Sequence, residues 1–178
     1  MEDNLLFIIN YYGVLEQLEY LQSEVVELVE AISNYELACE AIDENDELVF
    51  NVATYKKCII GELADNFVML NQLKVFYDCN IQLEDFELVD KRYNFKQLKD
   101  YAKEVYKLSL AVYEAEKFKR ENDRYHIFDM ADVLKRLEKV FEMLECFRQM
   151  YNISQEDLDE VMNFKIERQL GRIENEIK

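Results

Sequence analysis

This chain of 178 residues contains no proline and only 3 glycines, which leaves it few of the residues that make tight turns. An all-β fold needs such turns every few residues, whereas long helices need them only at their ends. Half of the residues are apolar, enough to build a real core in one compact domain or two small ones. The reading is therefore all-α, and the spacing of apolar residues agrees with it.

Leu21, Val25, Leu28 and Ile32 recur at helical intervals and define the buried stripe of a helix from about Gly13 to the late thirties. Residues 40–49, with Asp43, Glu44, Asn45 and Asp46, read as a polar connection. A second long helix carries Ile59, Leu63, Phe67, Leu70 and Leu73 and ends near Asn80, and a shorter one runs from about Leu83 to Arg92. Asn94, with Gln97 three residues later, resembles an N-cap and its reciprocal partner, opening a helix with Val105, Leu108 and Val112 on its apolar side. The charged stretch Arg120–Arg124 reads as a loop, followed by a helix from about Phe128 to Tyr151. Ser154 with Asp157 caps a last helix holding Val161, Phe164, Ile166 and Leu170.

The two halves, 1–93 and 94–178, look alike. Glu24-Val25 can be superposed on Glu104-Val105, the string from Phe67 to Leu70 on that from Phe141 to Leu144, and Asn80-Ile81 on Asn152-Ile153. A diverged tandem duplication would fold as one helical bundle with pseudo-twofold symmetry, an internal pseudo-dimer that stands as a monomer or as a simple homodimer.

The formal net charge is −17, with 38 acidic against 21 basic residues. Such a surface repels nucleic-acid backbones, so a DNA or RNA polymer is not the expected partner. A nucleotide remains compatible, because a divalent cation held by carboxylates reverses the local sign. Cys39, Cys58, Cys79 and Cys146 form no C-x-x-C pair and have no zinc-like spacing with His126, the single histidine. Buried or partly buried free thiols suit a reducing compartment. The first residues lack the basic start and apolar run of a signal peptide, and no apolar stretch reaches membrane-spanning length, so the expected location is the cytoplasm, with no membrane partner.

Stepping about 100° per residue places Glu24 and Glu27 on one flank of the first stripe, and Glu62 and Asp65 in a similar relation beside Leu63, Phe67 and Leu70. If the two helices pack through their stripes, the four carboxylates can meet at the seam and would need a cation between them. Oxygen-only ligands favour Mg²⁺, with Mn²⁺ as the alternative, over zinc. Spacing by itself says little here. With about a fifth of the residues acidic, roughly eight acid-x-x-acid matches arise by chance in this length.

The surrounding strings are more specific. Residues 23–32, SEVVELVEAI, and 61–70, GELADNFVML, resemble the two signature helices of the MazG-like, all-α nucleoside triphosphate pyrophosphohydrolases, which include the dimeric dUTPases and carry an E-x-x-E…E-x-x-D motif. The likeness continues through Asn80-Ile81 to Lys91 and Asn94, similar to that family's downstream lysine and asparagine, and residues 164–173, FKIERQLGRI, are similar to the tail of such modules.

The resemblance implies a bundle of two MazG-like repeats and Mg²⁺-dependent hydrolysis of an NTP or dNTP to the monophosphate and pyrophosphate. It implies Glu24, Glu27, Glu62 and Asp65 as metal ligands, with Glu27 also positioning the attacking water, and Lys91 and Asn94 as substrate contacts. Two departures stand out. The connection over residues 28–61 is longer than the family shows, and the second repeat has lost the motif. Lys107 follows Glu104 where a second glutamate belongs. The later acidic positions fall on Arg136 and Lys139, or on Asp129 and Asp132 with an insertion. One active half and one structural half are expected. The competing expectation is a non-catalytic bundle that binds a nucleotide or a protein. The aromatic residues are mainly core and groove material; Tyr20, beside the Glu24 flank, is one that could face a base, although nothing in the sequence selects it.

Overall fold

The computed structural model describes residues 1–41, 46–81 and 95–177, with side chains from residue 52 onward in the second stretch. Among them lie six helices and no strand: α1 (Glu2–Tyr12), α2 (Val14–Glu40), α3 (Asp46–Phe76), α4 (Phe95–Asn122), α5 (Ile127–Met150) and α6 (Gln155–Ile177). The expected short helix over Leu83–Arg92 and the cap at Asn94 lie outside the described residues, as do Lys91 and Asn94 themselves.

Helices α2 and α3 pack along each other, as do α4 and α5, and the pairs meet where α2 touches α4 and α3 touches α5. Helix α6 lies on α3, and α1 packs against α3, α6 and α2. The stripe Leu21, Val25, Leu28 and Ile32 is buried in one core with Ile59, Leu63, Phe67, Leu70 and Leu73 of α3. Val105, Leu108 and Val112 of α4 and Leu137, Val140 and Leu144 of α5 complete the other side of that core. No helix of the described residues is long and apolar enough to cross a membrane.

Several boundaries differ from the sequence reading. Helix α3 already begins at Asp46, inside the stretch expected to be a connection, which fits aspartate's preference for the start of a helix. Helix α4 runs through the charged stretch to Asn122. Its basic residues there, Lys119 and Arg120, lie against the negative end of the helix dipole and so favour continuation. Helix α1 was not expected at all. It buries Leu5, Ile8 and Ile9, and it ends at Gly13, whose φ of 92° lies where a Cβ is strained. The Gly13 N–H donates to Ile9 O at 2.8 Å while its carbonyl accepts from the Gln17 N–H at 3.1 Å, so this residue closes α1 and opens α2.

The cap at the start of α6 is as expected: the Asp157 N–H donates to Ser154 Oγ at 3.0 Å, and the Ser154 hydroxyl donates to the Asp157 carboxylate at 2.6 Å. Helices α3 and α5 end alike. Asp78 and Asn152 are left-handed (φ 51° and 49°). Cys79 N–H bonds Lys74 O at 2.9 Å and Ile153 N–H bonds Arg148 O at 3.0 Å, each the long bond of a Schellman cap. Asp78-Cys79 thus closes α3 with the same cap geometry as Asn152-Ile153 closes α5. The free cysteines are mostly buried or half-buried as expected, but Cys58 is exposed.

Candidate functional site

Glu24 and Glu27 project from one flank of α2, and Glu62 and Asp65 from α3. Packing α2 on α3 brings three of them together: one carboxylate oxygen each from Glu24, Glu62 and Asp65, all within 4.8 Å of one another. Glu27 does not join them. It is exposed, on the rim of an adjoining groove, though near enough to raise the proton affinity of Glu24 and Glu62. The expected tetrad is thus a converged triad with a fourth acid at its edge.

A buried amide holds this seam. Asn66, fully buried within the α3 stripe, donates from Nδ2 to Glu24 O at 3.1 Å and to Glu62 O at 2.8 Å. Its Oδ1 accepts the Tyr101 hydroxyl of α4 at 2.8 Å, and Tyr101 is itself fully buried against the Phe147 ring. One side chain therefore ties together the backbones that carry two of the acids, with a third helix bracing it.

The electrostatics are those of crowded anions. Partial burial, then Asp65, Glu27 and Glu62 in that order, push the Glu24 carboxyl up to about 7, against an opposing pull from Lys165. Burial and Asp65 likewise raise Glu62. Glu62 Oε2 is buried and has no hydrogen-bond partner. A cluster like this needs positive charge, and the protein supplies one: the Lys165 ammonium of α6 contacts the Asp65 carboxylate, with both side chains largely buried. Nothing in the sequence singles out Lys165, although it stands in the string that resembles the tail of the family's modules. The expected lysine, Lys91, lies outside the described residues.

Beside the triad lies a groove of about 370 Å³. Helix α2 lines it with Gln17, Tyr20, Glu24 and Glu27, and α6 faces them with Arg168 and Arg172. A groove lined by Arg168 and Arg172 together with Glu24, Glu27, Asp65, Glu176 and Tyr20 can accommodate a ligand that carries both phosphate and apolar surface.

The acids singled out in the second half are placed otherwise. Lys107 pairs with Glu104 at 2.5 Å, Arg136 with Asp132 at 2.8 Å and Lys139 with Glu142 at 2.8 Å. Each carboxylate there has a basic neighbour on its own helix, so these groups form local ion pairs and the only group of three converging acids among the described residues is Glu24, Glu62 and Asp65. His126 precedes α5 at its N-cap position, its ring against Phe118 and Phe128, and has no part in the site.

No protein-family model matches this chain, and neither a curated protein nor a solved structure matches it.

Proposed function

We propose that this protein is a Mg²⁺-dependent nucleoside triphosphate pyrophosphohydrolase with one site per chain. The observation that carries the reading is the convergence of Glu24, Glu62 and Asp65 from two helices beside a groove walled by arginines. The residues fit a hard divalent cation. Their donors are carboxylate oxygens only, and Glu62 Oε2 is buried without a partner. Glu24, Glu62 and Asp65 would hold the ion, with Glu27 at its edge. A bound Mg²⁺ supplies charge neutralisation at the phosphates and lowers the pKa of a bound water.

The chain's own groups take the other roles. Arg168 and Arg172 neutralise and orient the triphosphate from the opposite wall, as paired guanidinium groups do for phosphate. Lys165 stands at the acidic end of the groove, where its ammonium can pass from Asp65 to a phosphate oxygen. Exposed Glu27 is the candidate to take the proton of the attacking water. Water then displaces pyrophosphate from the α-phosphorus, leaving the monophosphate. That choice of bond rests on the likeness of residues 23–32 and 61–70 to the MazG-like signature helices.

The duplication belongs to the same reading. The matched residues Phe67 and Phe141 meet with ring centroids 6.1 Å apart, as equivalent positions beside a twofold axis do, and the caps of α3 and α5 are alike. A second reading, a binding module without turnover, is favoured by one observation: Lys165 already neutralises Asp65 from within the chain. The two are separated by incubating the protein with each NTP and dNTP plus Mg²⁺ and measuring pyrophosphate. The enzyme reading expects release that falls by at least about 10³-fold in the Glu24→Gln, Asp65→Asn double variant. Mg²⁺-dependent nucleotide binding without release would favour the binding module.

A further inference from the structure

One side chain in the groove is unsatisfied in a way the acidic triad does not explain. Gln17 is only 2% exposed, it lines the groove, and its Oε1 is buried with no hydrogen-bond partner. A buried amide oxygen left unpaired costs stability, and an apolar side chain of similar shape would avoid that cost. Gln17 itself lines the groove, so a rotation of its terminal amide would turn this oxygen to a donor that a ligand brings.

The placement along α2 says which part of a ligand that is. Gln17 precedes Glu24 by seven residues, two helical turns, so both lie on one face about 10 Å apart along the axis. That is comparable to the reach of a nucleoside from its α-phosphate to the far edge of its base. Between them on the same face stands Tyr20, 47% exposed, which offers a flat ring beside the path. The acidic end suits phosphates, the tyrosine suits a planar ring, and the amide suits a hydrogen-bonding edge.

We infer that Gln17 is the residue that reads the nucleobase: its amide accepts an N–H from the base edge, with the base lying along Tyr20. The inference rests on the proposed nucleotide chemistry of the neighbouring triad and adds to it a residue that sets base preference.

The test is equilibrium binding to the full chain of the four α,β-methylene ribonucleoside triphosphates and of inorganic tripolyphosphate, each with Mg²⁺. The wild type is expected to prefer one base. Gln17→Met should weaken binding of that nucleotide about tenfold, which flattens the series, and leave tripolyphosphate unchanged. Because the substitution removes an unpaired buried amide, its melting temperature should stay level or rise. Gln17→Glu, which keeps the shape and the acceptor, should keep the same preferred base, and loss of the preference in this variant would overturn the acceptor role.

Equal affinity for all four bases in the wild type would overturn the inference. So would equal loss of nucleotide and tripolyphosphate in Gln17→Met. In either case the triad's chemistry would stand if tripolyphosphate binding still required Mg²⁺. Binding of neither probe would sink both readings. Base preference that depends on Gln17, in a protein that hydrolyses no nucleotide, would keep this inference and remove the enzyme.

Discussion

Asn66 shows how much one buried amide can decide. Its three hydrogen bonds join α2, α3 and α4 at the level of the acids, and losing the one to Tyr101 would leave a buried group unpaired. Tyr101→Phe removes only the bond to Asn66 Oδ1, and we expect it to cost about 1–3 kcal/mol in urea unfolding. Asn66→Leu should cost more, because it leaves the buried Tyr101 hydroxyl without its acceptor and removes the tie between the α2 and α3 backbones. In the sequence Asn66 reads only as a polar residue beside Asp65 in an apolar stripe, and its role depends on which helices lie across from it. The same holds for Lys165. Its contact with Asp65 joins residues 100 positions apart, and periodicity reports which face a residue is on but not what that face meets. Glu24, Glu62 and Asp65 were legible because their motif strings lie on the two helices that pack together. Glu27 differs because convergence depends on how α2 is rotated against α3, which a 60° flank relation leaves open.

At the scale of elements, long apolar stripes made α2 to α6 readable, while helix ends were read less well. Helix α1 carries Leu5, Ile8, Ile9 and Tyr12 at helical spacing, a signal present in the sequence but broken by Gly13 after three turns. The ends of α3 and α5 are set by left-handed Asp78 and Asn152, and no glycine marks them. That conformation costs a residue with a Cβ more than glycine, so Asp78→Gly should stabilise the protein by up to about 1 kcal/mol. Thermal melting would show this as a rise of about 2–4 °C, and a fall would mean the Asp78 side chain contributes more than its backbone strain. Gly13, with φ at 92°, is the opposite case: Gly13→Ala should lower the melting temperature through strain, since nothing lies within 4 Å of the added Cβ.

For the whole molecule the dominant quantity is its net charge of −17, to which the acidic cluster at the α2–α3 seam contributes. Glu24 is held at about 7 against an ordinary 4.5, so the folded protein binds that proton more tightly than the unfolded chain. The resulting stabilisation is fully present below the unfolded value and is lost as pH rises through the folded one. Glu62 adds to the effect in the same direction. Without divalent ions the protein should therefore melt lower at pH 8 than at pH 5. The difference is on the order of 1 kcal/mol once solvent screening of the half-exposed Glu24 is allowed for. At pH 8, millimolar Mg²⁺ should restore the loss in the wild type and not in the Glu24→Gln, Asp65→Asn double variant. A rise in melting temperature equal in both proteins would mean that the ion acts by general screening of the surface charge.

On the proposed reading the triad and its groove cleave a nucleoside triphosphate between the α- and β-phosphates. Phosphorus NMR of an NTP mixture incubated with the protein and Mg²⁺ tests it most directly, because it identifies the products as well as their amount. Monophosphate and pyrophosphate resonances are expected to grow together, only with Mg²⁺, and not in the double variant. Nucleoside diphosphate with inorganic phosphate, or intact triphosphates after incubation with equimolar protein, would contradict it.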